Sequence, residues 1–249
     1  MDFTIEELSM NAWPAIKTLL YDGWVIRLSN GYGNRANSIN PIYPSVINLE
    51  EKLKYCADLF GRCNLPAAYK IIGYEGNKPC DEHRAIEEKL EGLNYQKINE
   101  TSIQTCETMA KPRYEGIVVS NDFDDRWIVS VIEYNRIEDE HIPTFKKIVG
   151  NIAGEKIVVR REEGNEIAGC GYGAIGNDYV GVFDIVVKES FRGKGYGREI
   201  VETILSEAYQ RGVKKSYLQV MINNPAALHL YAKLGYREIY RYWYRKVKR

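Results

Sequence analysis

From Phe183 to Gly197 the chain reads Phe-Asp-Ile-Val-Val-Lys-Glu-Ser-Phe-Arg-Gly-Lys-Gly-Tyr-Gly. A buried-type strand runs straight into a turn carrying three glycines, and a helix pattern opens behind them. A helix start offers unpaired backbone N–H groups and the positive end of the helix dipole, which together suit a phosphate or pyrophosphate. Gly193, Gly195 and Gly197 let that backbone approach an anion closely, and Arg192 and Lys194 add positive charge. The nucleotide P-loop is disfavoured, because Gly195-Tyr196-Gly197 stands where that loop needs Gly-Lys-Ser/Thr. The dinucleotide pattern fails too, since its third glycine would fall on Arg198 or Ile200.

The surrounding pattern mixes strands and helices, an α/β (α+β) layout. Residues 3–20 carry apolar side chains at helical intervals, with a break or kink at Pro14. Residues 23–28 read as a strand, 30–34 as a turn and 35–41 as a returning strand. Asn48 caps a helix to about Cys63, residues 67–72 form a strand, and Asp81 caps a short helix ending near Gly92. Residues 94–109 are extended, and the polar segment Lys111–Gly116, with Pro112, divides the chain into halves at 1–113 and 114–249. The second half predicts a strand at 117–120, a helix from the Asp122–Asp125 cluster to Asn135, and another at 138–149. Strands at 156–161, 166–174 and 180–187 lead to a helix at 197–211. A strand at 216–221, a helix at 225–234 and a long aromatic strand at 236–247 close the chain.

The glycine-rich segment resembles the acyl-CoA loop of the GNAT superfamily of N-acetyltransferases, Arg/Gln-x-x-Gly-x-Gly/Ala, with Arg192, Gly195 and Gly197 in the defined positions. Downstream, Asn224-Pro225-Ala226-Ala227-Leu228-His229-Leu230-Tyr231-Ala232-Lys233-Leu234-Gly235-Tyr236 is similar to that family's Asn-x-x-Ala-x-x-Leu-Tyr-x-x-x-Gly-Phe/Tyr segment. Two matches in the right order are far more specific than either alone, and the resemblance covers roughly residues 116–249. It implies a mostly antiparallel twisted sheet flanked by helices and an acetyl-CoA co-substrate with no metal. The backbone of Ile185, Val186 and Val187 would hold the pantetheine arm, and the turn from Arg192 to Gly197, including Tyr196, its pyrophosphate. Asn224 and Ala227 would flank the donor, with Asn224 bonding pantetheine or capping the last helix. Tyr231 takes the family's general-acid position. Asp184 is the first candidate for the base that deprotonates the acceptor amine, a purely structural strand carboxylate being the alternative.

The first half has no Arg-x-x-Gly-x-Gly loop. Leu90–Ile98 nevertheless echoes Leu234–Ile239, and superposing Tyr95 on Tyr236 puts Leu90 where Tyr231 stands. A degenerate GNAT-like half is therefore expected, smaller than the active one. The stretch 23–28 with Arg35–Ser38 resembles the N-terminal part of two-lobed bacterial GNAT proteins, where it helps shape the acceptor pocket; a plain hairpin is the alternative.

The formal net charge of zero disfavours nucleic acid as a partner, and no apolar run approaches the roughly 20 residues of a membrane span. The N-terminus, acidic from Asp2, has no signal-peptide layout, so a cytoplasmic location is the expectation. Cys56 and Cys63 are expected on one helix face, as buried thiols rather than metal ligands. The basic tail (Arg237, Arg241, Arg245, Lys246, Lys248, Arg249) reads as a solvated strand face. The expected acceptor is a small-molecule amine, a peptide N-terminus or a lysine, with Asp122, Asp124, Asp125 and Glu133 as attractors of its charge. A homodimer is expected from the resemblance. The competing function is a non-catalytic CoA-binding sensor or partner protein.

Overall fold

The computed structural model describes residues 3–74, 78–111 and 113–247. Met1, Asp2, Pro112, Lys248 and Arg249 thus lie outside the described residues. One twisted sheet runs through the molecule in the order β1-β2-β3-β4-β12-β6-β11-β10-β9-β8-β7, with β5 (Lys78–Pro79) paired to β4. In the first half the strands are β1 (Lys17–Tyr21), β2 (Trp24–Leu28), β3 (Ser38–Pro41), β4 (Ala68–Tyr74) and β6 (Gln96–Glu107). Those of the second are β7 (Ile117–Ser120), β8 (Lys156–Glu163), β9 (Glu166–Gly176), β10 (Tyr179–Val187), β11 (Lys215–Met221) and β12 (Arg237–Lys246). All pairings are antiparallel except β3 with β4 and β10 with β11. The helices are α1 (Thr4–Ala12), α2 (Leu49–Arg62), α3 (Asp81–Gly92), α4 (Asp125–Tyr134), α5 (Ile142–Gly150), α6 (Tyr196–Gln210) and α7 (Pro225–Lys233).

The halves share one order. Three antiparallel strands, a helix, a parallel strand, a helix and a last strand appear as β1-β2-β3-α2-β4-α3-β6 and again as β8-β9-β10-α6-β11-α7-β12. Equivalence reaches single hydrogen bonds: Tyr95 N–H donates to Leu90 O at 3.0 Å, and Tyr236 N–H to Tyr231 O at 3.0 Å. Asn94 (φ 62°) and Gly235 (φ 88°) occupy the left-handed position before each. The last strand of each half is exchanged, however. β12 pairs with β4 of the first half, and β6 with β11 of the second. The two exchanged strands meet reciprocally, Gln96 opposite Lys246 and Thr105 opposite Arg237.

Close packing behind the future site depends on glycine. Gly169, Gly171 and Gly173 alternate along β9 on the face turned to α6, where an added Cβ would meet Ile200 or Ile204. At Gly171 it would also lie 2.3 Å from Ile185 Cδ1. The opposite face carries Cys170, Tyr172 and Ala174, which pack with Trp127, Phe145 and Ile148 and with Ile5 and Leu8 of α1. The first helix is thereby buried on the second half, and Tyr172 donates its hydroxyl to Ala12 O at 2.9 Å.

Four expectations need correction. The helix expected over 3–20 ends at Ala12, and the chain beyond Pro14 enters β1, because Asp22-Gly23 (φ 42° and 78°) turns it into a hairpin with β2. Residues 35–41 give a 3-10 turn (Asn34–Ala36) before the short β3. Cys56 is buried in α2, but Cys63 falls at its C-cap and is exposed. The tail is not simply solvated either. Arg245, 8% exposed, donates to the buried Glu87 of α3 through Nε at 3.0 Å and Nη2 at 2.6 Å.

Candidate active site

The parallel pairing of β10 with β11 ends at Val182 opposite Leu218. Beyond it β11 continues along β6 while β10 stays with β9, so the two strands part and leave a gap at their C-terminal ends. In the gap β10 carries a bulge: between the Phe183–Tyr172 and Val186–Cys170 pairs it has one residue more than β9. Asp184 sits there at φ 48°, a left-handed conformation that a bulge imposes on a non-glycine residue. Ile185, Val186 and Val187 therefore offer an edge that no strand covers on the β11 side.

The glycine turn lies at the end of this edge. Gly195, at φ 90°, is the N-cap of α6 and supplies no side-chain acceptor. From Gly193 through Gly197 no backbone N–H finds an acceptor among the described residues; Arg198 N–H is the next to do so, at Gly195 O, 2.9 Å. An added Cβ at Gly193 or Gly195 would meet nothing within 4 Å, so their surroundings are open. The equivalent start of α2 is closed. There Asn48 Oδ1 accepts from Glu51 N–H at 2.9 Å, and the Asp22 carboxylate accepts from Val46 N–H, Ile47 N–H, Ser45 Oγ and Lys52 Nζ. A carboxylate of the chain itself thus fills the anion seat in the first half, while the seat in the second is bare.

Around that seat Arg192 donates to Val187 O at 3.4 Å, and Lys194 Nζ lies 4.9 Å from the Phe191 ring centre. Tyr196 turns inward, its hydroxyl on Glu163 at 2.6 Å, so only its backbone faces the turn. Asn224 caps α7 by accepting from Ala227 N–H at 3.1 Å. Tyr231, 9% exposed, makes no hydrogen bond through its hydroxyl among the described residues, and burial pushes its pKa up to about 12.

A cleft of about 780 Å³ is lined by Asp184, Ile185, Val186, Asn224, Ala227 and Tyr231, whereas Val187 and the turn from Arg192 to Gly197 do not border it. The acidic residues expected to attract the acceptor do not either. Asp124 caps α4 at Trp127 N–H and pairs with Arg160, and Asp122 pairs with Lys156; neither they nor Asp125 and Glu133 border the cleft. Instead the first half contributes Arg35, whose guanidinium lies over the Trp13 ring at 4.6 Å and 3.7 Å from Asp184 Oδ1. Burial raises the Asp184 pKa above the usual carboxylate range, and Arg35 opposes that rise. Its Oδ2 is buried without a partner among the described residues. Trp13, Tyr32, Tyr242 and Tyr244 also line the cleft without having been singled out from the sequence. The alternation Tyr240-x-Tyr242-x-Tyr244 marked one face of a strand, but its place depends on the exchange of β12. The one grouping among the described residues able to hold a cation, Glu138, Glu140 and His141, is mostly exposed and lies outside the cleft lining.

Residues 118–236 match the family described as Acetyltransferase (GNAT) family. The chain carries a GNAT-family acetyltransferase domain. An uncharacterized N-acetyltransferase of Bacillus subtilis, YobR, is 26% identical over 252 aligned positions, covering 98% of each chain. The fold of a GCN5-related N-acetyltransferase from Kribbella flavida is similar, with a TM-score of 0.66 at 11% identity, over 98% of this chain and 94% of that one. A tandem GNAT protein from the clavulanic acid biosynthesis pathway superposes with a TM-score of 0.61 at 13% identity, over 85% of this chain and 76% of that one. The GNAT match spans the parted strands, the bulge, the glycine turn and all of α7.

Proposed function

We propose that the protein transfers an acetyl group from acetyl-CoA to a primary amine, with the donor held along β10 and at the start of α6. The observation that carries this reading is the run of unspent amides from Gly193 to Gly197 beside an uncovered strand edge. A diphosphate fits that cradle, and Arg192 and Lys194 stand beside it. The edge from Ile185 to Val187 suits the amide-bearing pantetheine arm, and Asn224 and Ala227 border its path. When bound, the donor supplies an activated acyl carbonyl and a thiolate leaving group.

The chain's own groups then manage protons and charge. An amine with a pKa near 10 reaches the cleft as an ammonium and must lose a proton before it can attack. Asp184, buried beside Arg35, is placed to accept that proton through Oδ2. Backbone N–H groups of the bulge stabilise negative charge developing on the carbonyl oxygen. Tyr231, protonated at neutral pH, donates to the departing sulfur.

The test is continuous detection of free thiol during transfer to a panel of primary amines. Wild-type protein should release thiol in an amine-dependent way, and Tyr231→Phe should lower kcat by about 10²-fold. Acetyl-CoA binding without amine-dependent release from any acceptor would favour the non-catalytic sensor.

A further inference from the structure

The acceptor end of the cleft has an unusual charge inventory. Among the described residues that line it, Arg35 and Asp184 are the two charged side chains. Each has bonding capacity to spare. Asp184 Oδ2 is buried and unpartnered. Arg35 is a third exposed, and its nearest acidic oxygen, at 3.7 Å, is beyond hydrogen-bond reach. Its guanidinium stacks on Trp13 and pairs with Asp184 Oδ1, so its planar fork of donors lies beside that carboxylate. Aromatic rings of Tyr32, Tyr242 and Tyr244 close the surrounding wall.

We propose that the acceptor is a free α-amino acid, its ammonium directed to Asp184 and its carboxylate to Arg35, with an apolar or aromatic side chain against the tyrosines. The proposal rests on the acetyltransferase reading and names the acceptor class for that site. One carboxylate and one guanidinium side by side complement a zwitterion, whose own charges sit a few ångströms apart. A polyamine or aminoglycoside brings several positive charges, and the cleft has a single carboxylate, already facing a guanidinium, to meet them. A simple alkylamine would leave Arg35 without an anion once Asp184 turned to the ammonium, and a site that bonds a polar group of its substrate discriminates against the analogue that lacks it. The reaction forms an amide N–C bond on the α-nitrogen and breaks the thioester C–S bond; the ammonium loses two protons, one to Asp184 before attack and one, after attack, that restores the Tyr231 phenol once it has protonated the departing sulfur.

The experiment compares kcat/KM with acetyl-CoA for L-phenylalanine against phenethylamine, L-leucine against isoamylamine, and spermidine. Each amino acid should exceed its decarboxylated counterpart by on the order of tenfold or more. In Arg35→Met the ratio should fall towards one, chiefly through KM for the amino acid, and Arg35→Lys should keep part of it. Preference for the decarboxylated amines or spermidine overturns the proposal while leaving the acetyltransferase standing, as does an unchanged ratio in Arg35→Met. A protein that binds no acetyl-CoA overturns both.

Discussion

Arg35, on a 3-10 turn of the first half, stands 3.7 Å from Asp184, on the bulge of a strand of the second. The contact joins two halves that share one strand–helix order, and it lies in the cleft rather than at the glycine turn. The first half therefore supplies part of the cleft wall, Trp13 and Tyr32 included.

Asp184→Asn separates catalysis from stability. A folded-state pKa raised by burial means that ionisation costs folding free energy above the unfolded value of about 3.9. Asparagine does not ionise, so at neutral pH the variant should melt no lower than wild type while its transfer rate drops by about 10²-fold. The wild-type rate should rise with pH through the raised Asp184 pKa. A large fall in Tm would instead mark the Arg35 pair as structural.

Asp22 acts with the opposite sign. Its carboxylate is held well below the usual range by Ser45, the Val46 and Ile47 amides and Lys52. Its contribution is therefore present above the unfolded pKa of about 3.9 and is lost as pH falls towards the folded one. Thermal melts of wild type should lose stability progressively as the pH falls below about 4, and those of Asp22→Asn should be flatter there. Parallel curves would show that the carboxylate does not hold the start of α2.

The exchanged strand β12 is fastened by Glu87, which Arg245 and Trp243 both contact. Removing one partner of a buried pair leaves the other charge uncompensated, at about 3–5 kcal/mol. Glu87→Ala should lower Tm by roughly 6–20 °C, and adding Arg245→Met should recover part of the loss. Strict additivity in that cycle would show that the pair is not coupled.

The glycine turn and its flanking elements were legible because a few adjacent residues carry them. Gly193–Gly197, the strand before them and the Asn224–Tyr236 segment are local patterns whose chemistry follows from a helix start. The shared ending at Tyr95 and Tyr236 was legible for the same reason, since a left-handed residue after a helix leaves a short mark. The far wall of the cleft was not. Arg35, Trp13, Tyr242 and Tyr244 meet Asp184 only after β12 and β6 have exchanged places and α1 has packed across onto β9. Alternation says which face a residue takes, but not which half its strand joins. The first helix failed at Pro14 for a related reason: Leu19 and Leu20 fit helical spacing, and the Asp22-Gly23 turn decided for a hairpin.

Calorimetric titration with acetyl-CoA tests the donor site most directly, because amides without an acceptor at the start of α6 and amides taken up by Asp22 at the start of α2 predict one site per chain. Wild type should bind one equivalent per chain. Gly195→Asp, which forces a side chain and a negative charge onto a φ 90° cap facing the diphosphate, should bind none while staying folded. Two equivalents, or undiminished binding by the variant, would contradict a donor site at Gly193–Gly197.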